Sequence, residues 1–570
     1  MDRCETNIDS IRALEKQIIE YERTIINLKR TRNSLLNVSK LPPEVLGNVF
    51  RWNVIREGDF GGLDPGSHNF LAVCHHWFEV ASRTPEVWSS WGNTPKDWAR
   101  WYCHSGSAPL DLVLNWDHYN TNDGDDDDDD DDDENDDDDD DDENDKDEDR
   151  DGLDPDLRDA INGRATKDTI RRVHLKAKFP MLIDVVTAEL TAKGEGLRSN
   201  SMESLVLWNV DNTRPVDVSD FLAHYRFPKL QRLELTNCTI SSWDRLTSRT
   251  SFLTTLKLDF ADPSYIQTPT PTTSQLFSIL ASNPTLQRVA LLSCAIPNDG
   301  GGESSRVRLC YLKELHLGGD FQHVLRLINQ LDHPRNMDSL TLTLDDCGIA
   351  DISRTIGPYL RDHLQRRDRP QGGLNLLVSS WNTNYTPHIT FHAGDARGVD
   401  FSAPSLAEIK TFVKVDVVLS GAPRKDVLEK VALDLTTYAP REEVVHFRMY
   451  NQLATRLGTY TQFPNLKALS FDDMYLPAAF PNQILIGEGK ISPSLKHVFL
   501  EDMVVDDADW SPLVTFLAHC VSSGNRLDTL VIVRSPHMCS DVTESIRGMV
   551  RELRIEDQGR RNSYRRRCCI

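Results

Sequence analysis

One short apolar pattern, L-x-x-L-x-L-x-x-C/x-x-L, recurs from Ile170 onward and restricts the fold more than any other feature of the chain. Met202, Leu205, Leu207 and Val210 give one copy, and Leu230, Leu233, Leu235, Cys238 and Ile240 give the clearest. Others are Leu253, Leu256 and Leu258; Leu286, Val289, Leu291, Cys294 and Ile296; Leu312, Leu315 and Leu317; and Leu340, Leu342, Leu344, Cys347 and Ile349. The pattern returns at Leu466, Leu469, Phe471, Met474 and Leu476, at Leu495, Val498, Leu500, Met503 and Val505, and at Leu527, Leu530 and Ile532. Starts at 202, 230, 253, 286 and 312 stand 28, 23, 33 and 26 residues apart. Each copy supplies one short strand whose leucines point inward. A unit this small cannot bury its face alone, so neighbours must stack.

That spacing fits leucine-rich repeats, irregular and longer than the tightest ones. Helical runs occupy the right gaps, at Met181 to Leu190, Gln275 to Ala281, Phe321 to Leu331 and Leu513 to Val521. Cys238, Cys294 and Cys347 then take the turn after the strand as packing residues rather than nucleophiles. From Gly357 to Glu443 the register is lost. Strands are expected there at Leu374 to Ser379, His388 to His392 and Val413 to Leu419, with a degenerate copy at Val427, Leu428, Val431 and Leu433.

The other strong signal lies between Leu41 and Trp88. Pro42 and Pro43 stand in a first helical turn, where a missing N–H loses no partner, and Glu44 sits beside the positive helix end. Leu41, Val45, Leu46, Val49 and Phe50 recur at helical spacing on one apolar face. After a polar loop, Phe70 to Ala81 reads as a second helix, and Pro85 to Trp88 return towards it. These residues resemble the F-box: Leu41, Pro42, Glu44, Val45, Leu46, Val49 and Phe50, then Leu71, Val73, Cys74, Trp77 and Ala81, then Pro85 and Trp88. The loop from Arg56 to Asn69 is longer than that pattern, and Arg51 and Trp52 stand where a further leucine would be expected. The resemblance implies docking of these positions on a Skp-type adaptor, and through it on a cullin, while the rest of the chain selects a protein substrate. Trp101, Ser105, Gly106, Pro109, Leu110 and the alternating Leu112, Leu114 and Trp116 are similar to the stretch directly after the module in mushroom-type fungal F-box proteins.

The expected fold is α/β: a coiled-coil helix (1–38), a small all-α F-box (39–91), a Trp-rich linker with a capping strand (92–122), a disordered acidic tract (123–151), a repeat solenoid with parallel strands inside and helices outside (152–550), and a basic tail (551–570). Ile11, Leu14, Ile18, Tyr21, Ile25, Leu28 and Leu35 form the seam of the first helix. It leaves open a homodimer or packing within the chain. The tract holds 24 acidic and two basic residues, so it carries most of the net charge of -24 and cannot bury apolar surface. A solvated insertion is one reading. A non-ligase scaffold that holds a basic, histone-like partner is the alternative.

No phosphate loop, dinucleotide fingerprint, nucleophile elbow or His-Glu-x-x-His occurs, so no enzyme, cofactor, metal or nucleic-acid role is expected. The paired Asp345-Asp346, Asp472-Asp473 and Asp506-Asp507 read as rim carboxylates. The eleven Cys lack metal spacing and, with no apolar span or leader, suit a cytoplasmic or nuclear chain with reduced thiols and no membrane segment. Arg567 at the fourth position from the end excludes a Caax box, which leaves Cys568 and Cys569 open to lipidation, or the basic run to nuclear import or an unstructured tail. On the solenoid face, positions between inward leucines are the candidate substrate contacts: Trp208, Arg232, Glu234, Lys257, Glu314, His316, His497 and Phe499. Trp208 and Phe499 lead as exposed aromatics.

Overall fold

The structure is a computed structural model that describes residues 2–54, 65–91, 103–115, 169–178, 180–192, 201–211, 214–224, 227–247, 250–260, 270–293, 295–297, 306–334, 337–347, 352–366, 374–383, 386–396, 411–419, 434–450, 458–474, 476–480, 491–505, 509–536 and 538–556, with 158, 159, 161 and 431 as isolated positions. The acidic tract, Trp98, Trp101, Trp116, Cys294, Ile349, the copy at 427–433 except Val431, Asp506-Asp507, Cys568 and Cys569 lie outside the described residues. The protein is mixed α/β, with mostly parallel strands joined by helices and turns. No helix among the described residues is long and apolar enough to cross a membrane. Two compact units are present, Met1–Leu253 with Phe260–Pro269, and Thr254–Asp259 with Thr270–Ile570.

The first unit opens with α1 (Asp2–Ser34). The seam is exposed, from 51% at Ile25 to 70% at Leu35, just past the helix end. Then come α2 (Pro43–Val54), a 3-10 segment (Pro65–Ala72), α3 (His75–Ser82) and a 3-10 turn (Pro85–Val87). The run from Phe70 to Ala81 is therefore not one helix. Cys74 breaks it with extended backbone at φ -163° and ψ 165°. Strands β1 (Ser90–Trp91), β2 (Leu110–Asn115), β3 (Ile170–Ala177), β4 (Ser204–Asn209) and β5 (Arg232–Thr236) pair in that order, all parallel. The connection after β3 holds α4 (Pro180–Ala192).

The second unit starts with β6 (Thr255–Phe260, all but its last residue here), followed by β7 (Arg288–Ser293), β8 (Glu314–Asp320) and β9 (Ser339–Cys347). β10 (Leu374–Thr383), β11 (Thr386–Asp395) and β12 (Thr411–Leu419) come next, then β13 (Val444–Tyr450), β14 (Ala468–Asp472), β15 (His497–Glu501), β16 (Thr529–Val533) and β17 (Glu552–Glu556). From β7 the spatial order is β7-β8-β9-β12-β11-β10-β13-β14-β15-β16-β17. Among the described strands, only β11 runs against its neighbours. The expected parallel ladder is interrupted at this one strand, in the stretch where the repeat pattern is lost. Only Asn384 and Tyr385 separate β10 from β11, and a two-residue connection can join only antiparallel strands. The basic tail also starts later than expected, because Glu552–Glu556 pairs with Thr529–Val533.

The repeat has a local cause at each end of the strand. Phe227-Pro228-Lys229-Leu230, Asn283-Pro284-Thr285-Leu286, Phe463-Pro464-Asn465-Leu466 and Ser492-Pro493-Ser494-Leu495 each close a turn by an i+3 to i backbone bond of 3.1–3.3 Å. Proline presets the second residue of such a turn. The leucine it delivers is at most 1% exposed in every case, as are the inward pairs Leu233/Leu235, Leu469/Phe471 and Val498/Leu500. At the other end, five residues after the first of the strand, the backbone turns left-handed at Asn237, Ser293, Asp473, Asp502 and Arg534, with φ of 50–53°. Gly319 holds the same place in β8 at φ 137°, where a Cβ would stand 2.6 Å from the Ser293 carbonyl oxygen. Cys238 and Cys347 are buried, but Cys347 is not equivalent to Cys238: a register shift between Leu344 and Cys347 carries β9 past the turn. Expected helices at 275–281, 321–331 and 513–521 appear as Thr273–Ser282, Phe321–Gln330 and Ser511–Ser522.

In the first unit, Arg171 clamps Asp111 with Nε at 2.9 Å and Nη2 at 2.5 Å, tying β2 to β3. The Asp111 side chain is 3% exposed and that of Arg171 15%. Removing one partner of such a pair strands a buried charge. Asp111→Ala should therefore cost about 3–5 kcal/mol in chemical denaturation, whereas the double change Asp111→Leu/Arg171→Met should recover most of that loss.

Candidate functional site

Two surfaces carry the residues singled out in the sequence. The first is the helical module. Leu46, Phe50, Phe70, Val80, Ala81, Val87 and Trp88 form its core, with Leu41, Leu71 and Trp77 packed against it. Phe70 stacks on Phe50 at 4.5 Å and Trp77 tilts against it at 5.2 Å. The Trp88 indole N–H donates to the Ala81 carbonyl at 2.7 Å, so the second Trp closes the module. α2 comes close to the turn before Pro85: a Cβ on Gly47 would stand 2.9 Å from Thr84 Oγ1.

The face expected to act as one is split by this packing. Leu46 and Phe50 point inward, whereas Val45 (44%) and Val49 (51%) are exposed. Val73 (54%), Pro42 and Glu44 are exposed as well, and Cys74 and Pro85 are half-buried. Trp52, absent from the docking positions expected from sequence, is 75% exposed and continues the Val45 and Val49 stripe at i+7 and i+3. Its spacing was the signal that could have found it.

The second surface is the outward face of the strands. In the first unit, Trp208 carries the Lys176 ammonium over its ring at 4.4 Å, and Arg232 pairs with Glu234 at 2.7 Å. His174 meets Ser204 Oγ at 2.7 Å. Burial, then Arg232 and Arg172, pulls its pKa down to about 3. In the second unit, Lys257 lies on β6, and Glu314 and His316 on β8. Glu314 pairs with Arg288 at 3.2 Å on the exposed side. His316 meets Thr343 Oγ1 at 3.4 Å and is pulled down to about 4 by burial, then by Lys414.

His497 and Phe499 lie on β15, seven strands along from β8, or roughly 34 Å at the usual strand spacing. They do not join His316 in one site. Phe499 is also not the exposed aromatic expected. It is 6% exposed, in a cluster with Ala468, Val531 and Val533 on the outward face of β14–β16.

At the far end of that stretch the charges close on themselves. Arg448 reaches Asp472 at 2.5 Å and Glu501 at 3.6 Å, and Arg534 pairs with Glu501 and, at 2.8 Å, with Asp502. Asp472, Glu501 and Asp502 are the one group of carboxylates among the described residues close enough to share a cation. Two guanidinium groups already fill that role. The carboxyl of Asp472 is nevertheless pushed up to about 6, by burial first and Glu501 second.

These groups set a pH dependence with opposite signs. His174 and fully buried His446 are depressed to about 3, and His316 to about 4, from an unfolded value near 6.5. Their stabilisation is complete above pH ~6.5 and is lost as pH falls towards the folded values, at about 1.4 kcal/mol per unit for His446. Asp472 contributes fully below pH ~4 and loses its contribution as pH rises through about 6. His392 is depressed to about 4 in the same way, and these imidazoles outweigh Asp472, so the urea midpoint should fall as pH drops from 6.5 to 5, and His446→Gln should flatten that fall.

Among known proteins, no family model matches this chain, and no curated protein matches it at a meaningful level of similarity.

Proposed function

We propose that the chain is a substrate-recruiting adaptor of an SCF-type ubiquitin ligase. Its residues 39–91 act as an F-box that docks on a Skp-type adaptor and through it on a cullin. The repeat strands act as a leucine-rich-repeat receptor for a protein substrate. The reading rests on the F-box-like positions from Leu41 to Trp88, and one observation carries it. A module with its own buried core leaves Val45, Val49 and Trp52 uncovered along a single helix face. Exposed apolar stripes beside a finished core mark docking surfaces rather than packing, and Trp is the residue type most often found as a binding anchor.

In this reading the chain performs no bond chemistry. Its effect is proximity, raising the concentration of substrate lysines near the conjugating enzyme. α1, with its exposed seam, is available to a second copy of the chain, which would present the substrate twice.

The full chain, co-expressed with a Skp-type adaptor, should co-purify with it. Val49→Asp and Trp52→Ala should each weaken that complex by tenfold or more while leaving the thermal midpoint unchanged. Phe50→Ala should instead lower the midpoint, because it opens the core. A folded wild-type chain that fails to bind, or a Val49→Asp chain that binds equally well, would overturn the proposal.

A further inference from the structure

Helix α1 carries an apolar seam that packs on none of the described residues. Every residue from Ile11 to Arg30 is exposed, so no face of these roughly five turns is covered by the described residues. Helices in proteins draw most of their stability from burying one face against a neighbour. α1 has such a face. Written as heptads from Ile11, the first core position holds Ile11, Ile18 and Ile25, and the second holds Leu14, Tyr21 and Leu28. All six are more than half exposed.

The seam runs from Ile11 to Leu28, about 27 Å at 1.5 Å per residue. The next longest helix among the described residues, α4, has 13 residues and already buries Ile183, Val186 and Leu190. The α1 of a second copy has both the matching length and the matching repeat. The residue types then decide the geometry. Isoleucine at the first core position with leucine at the second selects two parallel strands. Charge selects the same direction. In a parallel, in-register pair, Glu15, Glu22 and Lys29 of one copy face the uncharged Ser10, Gln17 and Thr24 of the other. An antiparallel pair that keeps Ile11 to Leu28 in contact sets Glu22 against the partner's Glu15 or the partner's Glu22, and like charges repel.

Arg32 takes the next core position. Its guanidinium turns along the helix to Asn33 Oδ1, with Nε at 3.2 Å and Nη2 at 3.0 Å. One polar residue at such a position fixes register, because a slip by one heptad would set Arg32 against the partner's Ile25.

We infer that α1 pairs with the α1 of a second copy of this chain as a parallel, in-register, two-stranded coiled coil from Ile11 to Leu28. Only residues 35–42 separate Ser34 from Pro43 of α2, so both docking stripes leave the coil at the same end. The pairing itself needs no adaptor; that last consequence alone rests on the adaptor reading.

The full chain in reducing buffer should show a light-scattering mass twice its 64.7 kDa. Ile18→Asp and, separately, Ile25→Asp should each weaken self-association by tenfold or more. Neither should move the thermal midpoint followed by tryptophan fluorescence, because α1 holds no Trp and packs on none of the described residues. Cys4 falls one heptad before Ile11, so a parallel pair sets the two Cys4 residues level. Oxidation of the dimer with diamide should then give a covalent dimer that Cys4→Ser abolishes. A monomer, a trimer, an Ile18→Asp chain that stays dimeric, or a dimer without a Cys4-dependent cross-link would overturn the inference. A monomeric chain that still binds the adaptor would remove the coil alone, and a dimer that fails to bind it would remove the docking module alone.

Discussion

A single left-handed residue at the end of the strand is the constraint on which the repeat depends. At Asn237, Ser293, Asp473, Asp502 and Arg534 the chain accepts a backbone conformation that L side chains disfavour by about 1–2 kcal/mol. What it gains is a corner. The corner places the next residue back in the core, as Cys238, Met474 and Met503 show, each at most 2% exposed. The Pro-x-Leu turn does the equivalent at the entry of four strands. Between these two corners the strand has room for two inward leucines, and the ladder to the neighbouring strand is set by them. Asn237 also contributes its side chain, whose amide donates to the Asn209 carbonyl at 2.9 Å and ties successive corners together.

Much of this was legible in the residues because it is local. The inward leucines have a fixed spacing, the helices have theirs, and the strands at 388 and 413 alternate apolar with polar residues. What was not legible is non-local. Nothing in Leu340 to Leu344 says that its partner is Val413 to Val417 and not the strand that comes next in the chain. The pairing of β9 with β12 and of β10 with β13 depends on the meander being inserted as a block. The site is a similar case. Alternation identifies Phe499 as outward, but whether outward means exposed depends on Ala468 and Val531, one strand to either side. On α2 the helical period grouped Val45 with Leu46. Only the position of Phe70 and Trp77 around Phe50 decides which of the two is covered.

The outward faces of the strands settle their polar groups in different ways. Around Arg448, Asp472, Glu501, Asp502 and Arg534 every charge has an opposite within reach, and the region is closed by its own ion pairs. Beside them on β14–β16, Ala468, Phe499, Val531 and Val533 make a small apolar cluster that is shut to solvent. The patch around Thr390 and Asp416 holds one ion pair, Lys414 with Asp416, beside atoms of Thr390 and His392 that make no hydrogen bond. Polar saturation therefore distinguishes one stretch of sheet from another where shape and exposure do not.

The clamp between Asp111 and Arg171 has a consequence for the acidic run. Those two residues fix β2 beside β3, and Arg158 pairs with Glu189 of α4 shortly before β3 begins. Asn115 and Arg158 are thus each held by contacts made outside residues 116–157. The entropy of joining two fixed points by a flexible chain grows only with the logarithm of the chain's length, by about 0.6 kcal/mol for each doubling. Adding or removing aspartates between those two residues should therefore leave the Asp111–Arg171 clamp, and with it the pairing of β2 with β3, unchanged.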